Sequence, residues 1–307
     1  MLCTGPFLNF LIPLSLANSY FYMSDIESKS YVHPNETFHV PEKSRYFSPL
    51  DVFKTPETIA AAEQKIGMMF TERNLLAPDV AVKLVSRMIE AGRISKDAND
   101  FEKRCQQAID EEGVDKLIRE NFDDRYGRAR FLSELVGPFL EDDILDVGSG
   151  DGLVGQVIRN EHGRWVTLVD VVDINRTELP LILFDGEKLP LPDKSKDTVL
   201  LIGSLHHSDH PLEVLREAQR VAGKNIIIVE PVFIDRNPTN MLSAQLIDWM
   251  ISRVMKRDDI PCPANLHSAF EWEKIFEERG LKMVEKYDFD RGNAHISEHS
   301  FMFVVGV

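Results

Sequence analysis

Three groups of residues have types and spacings that could do chemistry. The first is Asp146-Val147-Gly148-Ser149-Gly150-Asp151-Gly152, inside the run DILDVGSGDGLVG from Asp143 to Gly155. An apolar stretch, a glycine-rich turn and a helical pattern follow one another there, which reads as strand, turn and helix. Glycines let the backbone turn tightly and approach a ligand, and the following helix aims its N-terminus at it. Such a turn suits a nucleotide-type cofactor. The second group is Asp170 and Asp185, each beside the end of an apolar run. A carboxylate suits ribose hydroxyls at the first position and an adenine amino group at the second. The third is HHSDH, with His206, His207, Asp209 and His210. A histidine there is a candidate general base or a strand-end structural residue. The cluster lacks a distinctive metal-ligand spacing, so no metal is assigned.

The glycine turn fits two frames. Gly150-Asp151-Gly152-Leu153-Val154-Gly155 matches the dinucleotide pattern G-x-G-x-x-G. Asp146 with Gly148, Gly150 and Gly152 matches the pattern of S-adenosylmethionine enzymes. Asp170 serves either frame, because both cofactors carry a ribose. The dinucleotide frame leaves Gly148-Ser149 at a strand end, where apolar residues belong. The other frame begins its turn directly after Ile144-Leu145-Asp146-Val147 and gives Asp185 a role.

These residues need a scaffold, and the pattern after Glu141 supplies one. Short apolar runs alternate with helical stretches, the signature of βαβ units and a parallel sheet. Strands are expected near Ile144–Val147, Trp165–Asp170, Leu181–Phe184, Thr198–Ser204, Asn225–Glu230, Lys282–Asp288 and Ser300–Gly306. Helices are expected near Leu153–Asn160, Leu212–Val221, Thr239–Met255 and Ala269–Arg279. The connection RGNAHISEH is too short for a parallel crossover, so the last two strands should be antiparallel. Ahead of Glu141 the chain reads as helical from Thr55. Asp79 is expected to cap a second helix that Gly92 ends. A third runs from Asp97 to Glu112, and a fourth covers Val114 to Leu140 with a possible break at Gly127. These helices suit a cap or lid over a substrate pocket.

The composition sets limits. Hydrophobic residues make up 43%, enough for a substantial core. The formal net charge of -15 would repel a phosphate backbone, which argues against nucleic acid as the main partner. Cys3, Cys105 and Cys262 lie far apart, which fits a reduced, cytoplasmic protein. Phe7–Leu16 is apolar but too short to span a membrane. With no Lys or Arg ahead of Lys29, it reads as an extended start rather than a signal. The expected division is a tail over 1–50, a helical cap over 51–121 and a cofactor-binding domain over 122–307.

From about Phe122 to Val307 the chain resembles a class I S-adenosylmethionine-dependent methyltransferase, most similar to the methyltransferase type 11 group. LDVGSGDG, FDGEKLPLPDKSKDTVLLIGSLHH and HPLEVLREAQRV carry the resemblance. It implies an α/β, Rossmann-like mixed sheet of seven strands, order 3-2-1-4-5-7-6, with the seventh antiparallel and helices on both faces. It implies that Asp146, Gly148, Gly150 and Gly152 border the methionine part of S-adenosylmethionine, and that Asp170 holds the ribose. Asp185 and Gly186 would meet the adenine. Ser204 and Leu205 would line the wall near the sulfur. One departure stands out: ten residues, Val171 to Pro180, replace the family's usual helix. Asp173 is therefore an alternative to Asp170.

The expected activity is methyl transfer to a small, partly apolar molecule, with His206 or His207 as candidate base. Glu230 either touches substrate or caps the next segment. The apolar face of Asn240–Met255 packs on the sheet or walls the acceptor pocket. A regulator that binds the cofactor without turnover, and a nicotinamide-dependent oxidoreductase using the other glycine frame, are the rival readings.

Overall fold

The computed structural model describes residues 47–71, 76–122, 125–233, 237–255, 262–288 and 298–307. Of the tail expected over 1–50, residues 1–46 lie outside them.

Among the described residues, five α-helices precede the sheet: α1 (Pro56–Thr71), α2 (Pro78–Ile94), α3 (Ala98–Glu111), α4 (Asp115–Phe122) and α5 (Arg125–Val136). The sheet strands are β1 (Asp143–Val147), β2 (Trp165–Asp170), β3 (Leu181–Leu183), β4 (Lys196–Ile202), β5 (Ala222–Phe233), a two-residue β6 (His267–Ser268), β7 (Lys282–Asp288) and β8 (Glu298–Gly306). Between them run α6 (Leu153–His162), α7 (Pro211–Val221), α8 (Pro238–Trp249) and α9 (Ala269–Glu278). The sheet order is β3-β2-β1-β4-β5-β8-β7, with β6 beside β5. Setting β6 aside, this is the expected topology. β8 runs antiparallel to both neighbours, from Asn225 opposite Gly306 to Asp288 opposite Phe301.

The central strands are apolar throughout because both faces are covered. Alternate residues divide between two cores. Leu145, Val147, Val199, Leu201, Ile226 and Ile228 meet Val214, Leu215, Trp272 and Phe276 of α7 and α9. Ile144, Leu168, Leu200, Ile227 and Val229 meet Leu132, Val136 and Ile158 of α5 and α6. Ser268 and Glu271 form a reciprocal capping box that starts α9, as the sequence suggests.

A third core lies apart from the sheet. Ile66, Phe70, Leu84, Met88, Phe101, Cys105, Ile109 and Ile118 pack with Leu246, Trp249, Met250, Val254 and Met255. Asn240–Met255 is therefore neither one helix nor a sheet-facing layer. It is α8 followed by a π-helical turn (Met250–Met255), and both pack on the N-terminal helices. Trp249 stacks on Phe101 at 5.6 Å between centroids.

Three expectations for the N-terminal helices need correction. Ala77 holds the N-cap of α2 and Pro78 its first position, which leaves Asp79 inside the first turn. The fourth expected helix is not broken at Gly127, which sits within α5. Gly92 does not end α2, which runs on to Ile94. It is glycine because the Phe53 ring lies against it: a Cβ there would come within 2.2 to 2.4 Å of three ring carbons. Gly92→Ala should therefore destabilise the protein, although alanine is the better helix former by about 1 kcal/mol. Overpacking of about 1–3 kcal/mol exceeds that gain. Urea unfolding of the variant should show a net loss, and a gain would contradict the contact.

Candidate active site

β1, β2 and β4 end side by side, and the chemistry-bearing residues collect at that edge. Gly148, Gly150 and Gly152 all take the left-handed conformation, with φ of 71°, 57° and 76°. Two of them also answer to their neighbours. A Cβ on Gly148 would lie 2.4 Å from Cβ of Ser204, and one on Gly152 would lie 2.7 Å from Oδ1 of Asn175. Gly150 differs: nothing lies within 4 Å of its added Cβ. Its open side is the face of the turn that a ligand can approach. The turn is pinned to β2, since the amides of Gly148 and Ser149 donate to Val169 O at 2.8 and 3.2 Å.

Asp146 lies behind the turn, 2% exposed, with Oδ2 unpartnered. Burial, together with Asp170 and Asp151, pushes its carboxyl up to about 7. A folded-state pKa above the unfolded value gives stability that is present at low pH and lost as pH rises. The loss here runs from about pH 4 to about 7. Asp146→Asn removes the titrating group. Its stability relative to the wild type should therefore rise by on the order of a few kcal/mol across that window. Urea unfolding at pH 5 and pH 8 measures it; an unchanged difference would contradict the buried acid.

Asp170 is also buried, and backbone amides occupy both its oxygens. Oδ2 accepts from Gly150 at 2.7 Å, and Oδ1 accepts from Val171 at 2.7 Å and Val172 at 3.2 Å. A carboxylate has about four acceptor directions, so room for a hydroxyl remains. Asp173 is exposed. Where a helix would stand, residues 171–180 form an irregular loop folded onto the glycine turn. Arg176 donates its amide to Asp151 O at 2.9 Å, while Asn175 Nδ2 donates to Leu179 O at 3.1 Å. Asp185 is exposed; its Oδ1 accepts from the amides of Glu187 and Lys188, each at 2.9 Å. Gly186 beside it has φ 85°.

After β4, Leu205–His207 forms a 3-10 turn. The Leu205 side chain enters the sheet core, so only its backbone can line a ligand wall. Ser204 keeps an unpartnered Oγ. Glu230 of β5 neither caps the next segment nor points out to substrate. It is 1% exposed, and its Oε1 accepts the amides of Ser204 and Leu205 at 2.9 and 2.8 Å. Its Oε2 lies 2.5 Å from His206 Nδ1, and His206 Nε2 lies 3.5 Å from Asp248 Oδ1 of α8. Burial opposes a charge on His206, but Glu230 and Asp248 outweigh it and hold its pKa well above the ordinary value. A doubly engaged imidazolium is not a base. His207 is half-buried, with its ring centroid 4.1 Å from that of His206.

Sequence reasoning missed Asp248 and Arg128. Asp248 comes from an insertion whose position only packing decides. Arg128 of α5 reaches over the end of β4, its Nη2 3.4 Å from where a Cβ of Gly203 would lie. At the other edge of the sheet, a cavity of about 370 Å³ opens beside Asp143, Trp165 and Lys196. None of the groups above faces it.

Residues 145–229 match a family described as a methyltransferase domain. This stretch of the chain is similar to a methyltransferase domain. Its match begins in β1, ahead of the first glycine, and ends in β5 one residue before Glu230. No curated protein matches the chain. Among solved structures, a methyltransferase from Aquifex aeolicus is 18% identical, with a TM-score of 0.41 over 63% of this chain and 98% of that one. Geranyl diphosphate methyltransferase in complex with S-adenosylmethionine is 14% identical, TM-score 0.45, over 63% and 90%. The [4+2]-cyclase SpnF is 16% identical, TM-score 0.44, over 58% and 80%.

The family implies S-adenosylmethionine as cofactor, and the residues of the methyltransferase domain fit it. The open face of Gly150 leaves space for a ligand. Asp146 Oδ2, Ser149 Oγ and Ser204 Oγ are unpartnered polar atoms around the same turn. An acid as poorly compensated as Asp146 is one that a cationic ligand relieves.

Proposed function

We propose that this methyltransferase moves the methyl group of S-adenosylmethionine to a small, partly apolar molecule. The acceptor enters between the helical layer, which unites residues 47–122 with α8, and the edge where β1, β4 and β5 end. The observation that carries this reading is the 3.5 Å contact between His206 and Asp248, which ties α8 to the end of β4. Phe233, Ala244 and Leu266, with Met241 beside them, form a small buried apolar cluster near the end of β5. The helical layer acts as the cap, and residues 122–307 hold the cofactor.

In this reading Asp146, Gly148, Gly150 and Gly152 border the methionine part, and Asp170, rather than the exposed Asp173, takes the ribose. Asp185 and Gly186 meet the adenine, while Ser204 and the backbone of Leu205 form the wall near the sulfur. The sulfonium supplies an activated methyl group, so the protein's work is to align the acceptor and exclude water. His206 acts by position, holding α8 to β4. An acceptor hydroxyl would give up its proton on the His207 side. Arg128, in the field of Asp151 and Glu230, orients a polar end of the acceptor. The acidic charge balance and the separated, free Cys105 and Cys262 support a reduced cytoplasmic setting.

The test is transfer of radiolabel from methyl-labelled S-adenosylmethionine to a fractionated small-molecule extract, beside calorimetric titration with S-adenosylmethionine, S-adenosylhomocysteine and NADH. Labelled product is expected. Tight binding with no label in any fraction would favour a regulator that binds without turnover; binding of NADH alone would revive the oxidoreductase. Asp185→Ala should weaken S-adenosylhomocysteine about tenfold or more, the cost of one lost hydrogen bond to a charged group.

A further inference from the structure

His206, His207 and Asp248 each place a donor atom within 4.8 Å of the other two. The sequence separates Asp248, inside α8, from the histidines by one helix and one strand, so no spacing rule reveals the set. We propose that these three side chains bind a divalent transition-metal ion of the zinc class, between the end of β4 and α8.

The geometry carries this in three ways. Two donors about 2.0–2.2 Å from one tetrahedral ion lie about 3.4 Å apart. His206 Nε2 and Asp248 Oδ1 already stand 3.5 Å apart, and a ring nitrogen of the half-buried His207 lies within 4.8 Å of the donor atoms of both. The outer partners are those a metal centre needs. A ligating histidine commonly gives its other ring N–H to a carboxylate. Glu230 takes that role at 2.5 Å from Nδ1 and is itself fixed by two backbone amides. On the far side, Cys262 Sγ donates to Asp248 Oδ2 at 3.3 Å, which leaves Oδ1 for the ion. Finally, the backbone holds the turn: Asn265 donates its amide to His206 O at 3.0 Å.

Ion binding needs His206 Nε2 unprotonated, so a proton held there leaves to solvent. Three protein ligands leave a coordination position open, as catalytic sites do. On the proposed methyltransferase reading, that position faces the acceptor, and a hydroxyl or other oxygen donor would occupy it. Ion binding itself needs neither cofactor nor turnover.

The test is titration of the full chain with cobalt(II), followed by its visible d–d absorption, with elemental analysis of the protein as purified. Stoichiometric binding with an intense four- or five-coordinate spectrum is expected, displaced by zinc. His207→Ala, at a half-buried position, should abolish that spectrum while circular dichroism stays unchanged. Glu230→Gln should weaken cobalt binding about 10–100-fold. A wild-type spectrum no different from free aqueous cobalt, or a His207→Ala variant that binds as the wild type does, would overturn the proposal. S-adenosylhomocysteine titration of the same samples keeps the two readings apart. Cobalt binding without S-adenosylhomocysteine binding sinks the methyltransferase function and leaves the metal site; the reverse result sinks the metal site alone.

Discussion

Gly150→Ala leaves the protein folded and lowers its affinity for S-adenosylhomocysteine on the order of 100-fold, about 3 kcal/mol. The two effects separate because the two demands on this glycine separate. Its φ of 57° makes an alanine cost about 1–2 kcal/mol of stability. Its added methyl group meets no protein atom within 4 Å, so the fold suffers no clash. The methyl group instead occupies the face through which a ligand would approach. Gly148→Ala is the contrasting control. Its φ is 71°, and its Cβ would come 2.4 Å from that of Ser204. That variant should lose stability first and binding as a consequence. Calorimetry for binding and urea unfolding for stability distinguish the pair. Wild-type affinity in Gly150→Ala would mean that the cofactor does not lie on this turn.

Glu230→Ala should cost about 3–5 kcal/mol of stability, the range for breaking a buried charge pair from one side. The carboxylate is the partner of His206 Nδ1 and of the amides of Ser204 and Leu205, all at the end of β4. Alanine leaves those amides without an acceptor and strips His206 of its nearer counter-charge. Glu230→Gln restores an acceptor for the amides but not the charge, and its loss should fall between the wild type and the alanine variant. Urea unfolding gives the order. A loss under about 1 kcal/mol in the alanine variant, typical of an exposed pair, would show that the buried pair does not form.

The sheet and the glycine turn at its edge were legible in the sequence because both are written locally. A strand covered on two faces shows as a short apolar run: Ile144–Val147, Val199–Ile202 and Ile226–Val229 each show one. A turn that must reach positive φ three times shows as three glycines spaced by two. The positions of Asp170 and Asp185 beside strand ends were legible because those runs define the strand ends. The antiparallel final pair followed from a connection too short to cross over.

What the tertiary structure decided depends on groups distant in sequence meeting in space. The apolar face of Asn240–Met255 is the same pattern whether it packs on a sheet or on helices. Only the fit of Trp249 on Phe101 and of its neighbours on α1 to α3 places it with the N-terminal layer. Gly92 carries no signal that separates a helix end from a close ring contact; Phe53 makes the difference. His206 reads as a base in the sequence because a histidine beside a reacting group is often one. Two carboxylates, one from β5 and one from α8, engage both its ring nitrogens and make it a clasp between them. Local patterns determine elements and turns, whose physics spans a few residues. The charge state and role of a buried side chain are set by whatever folding brings within a few ångströms of it.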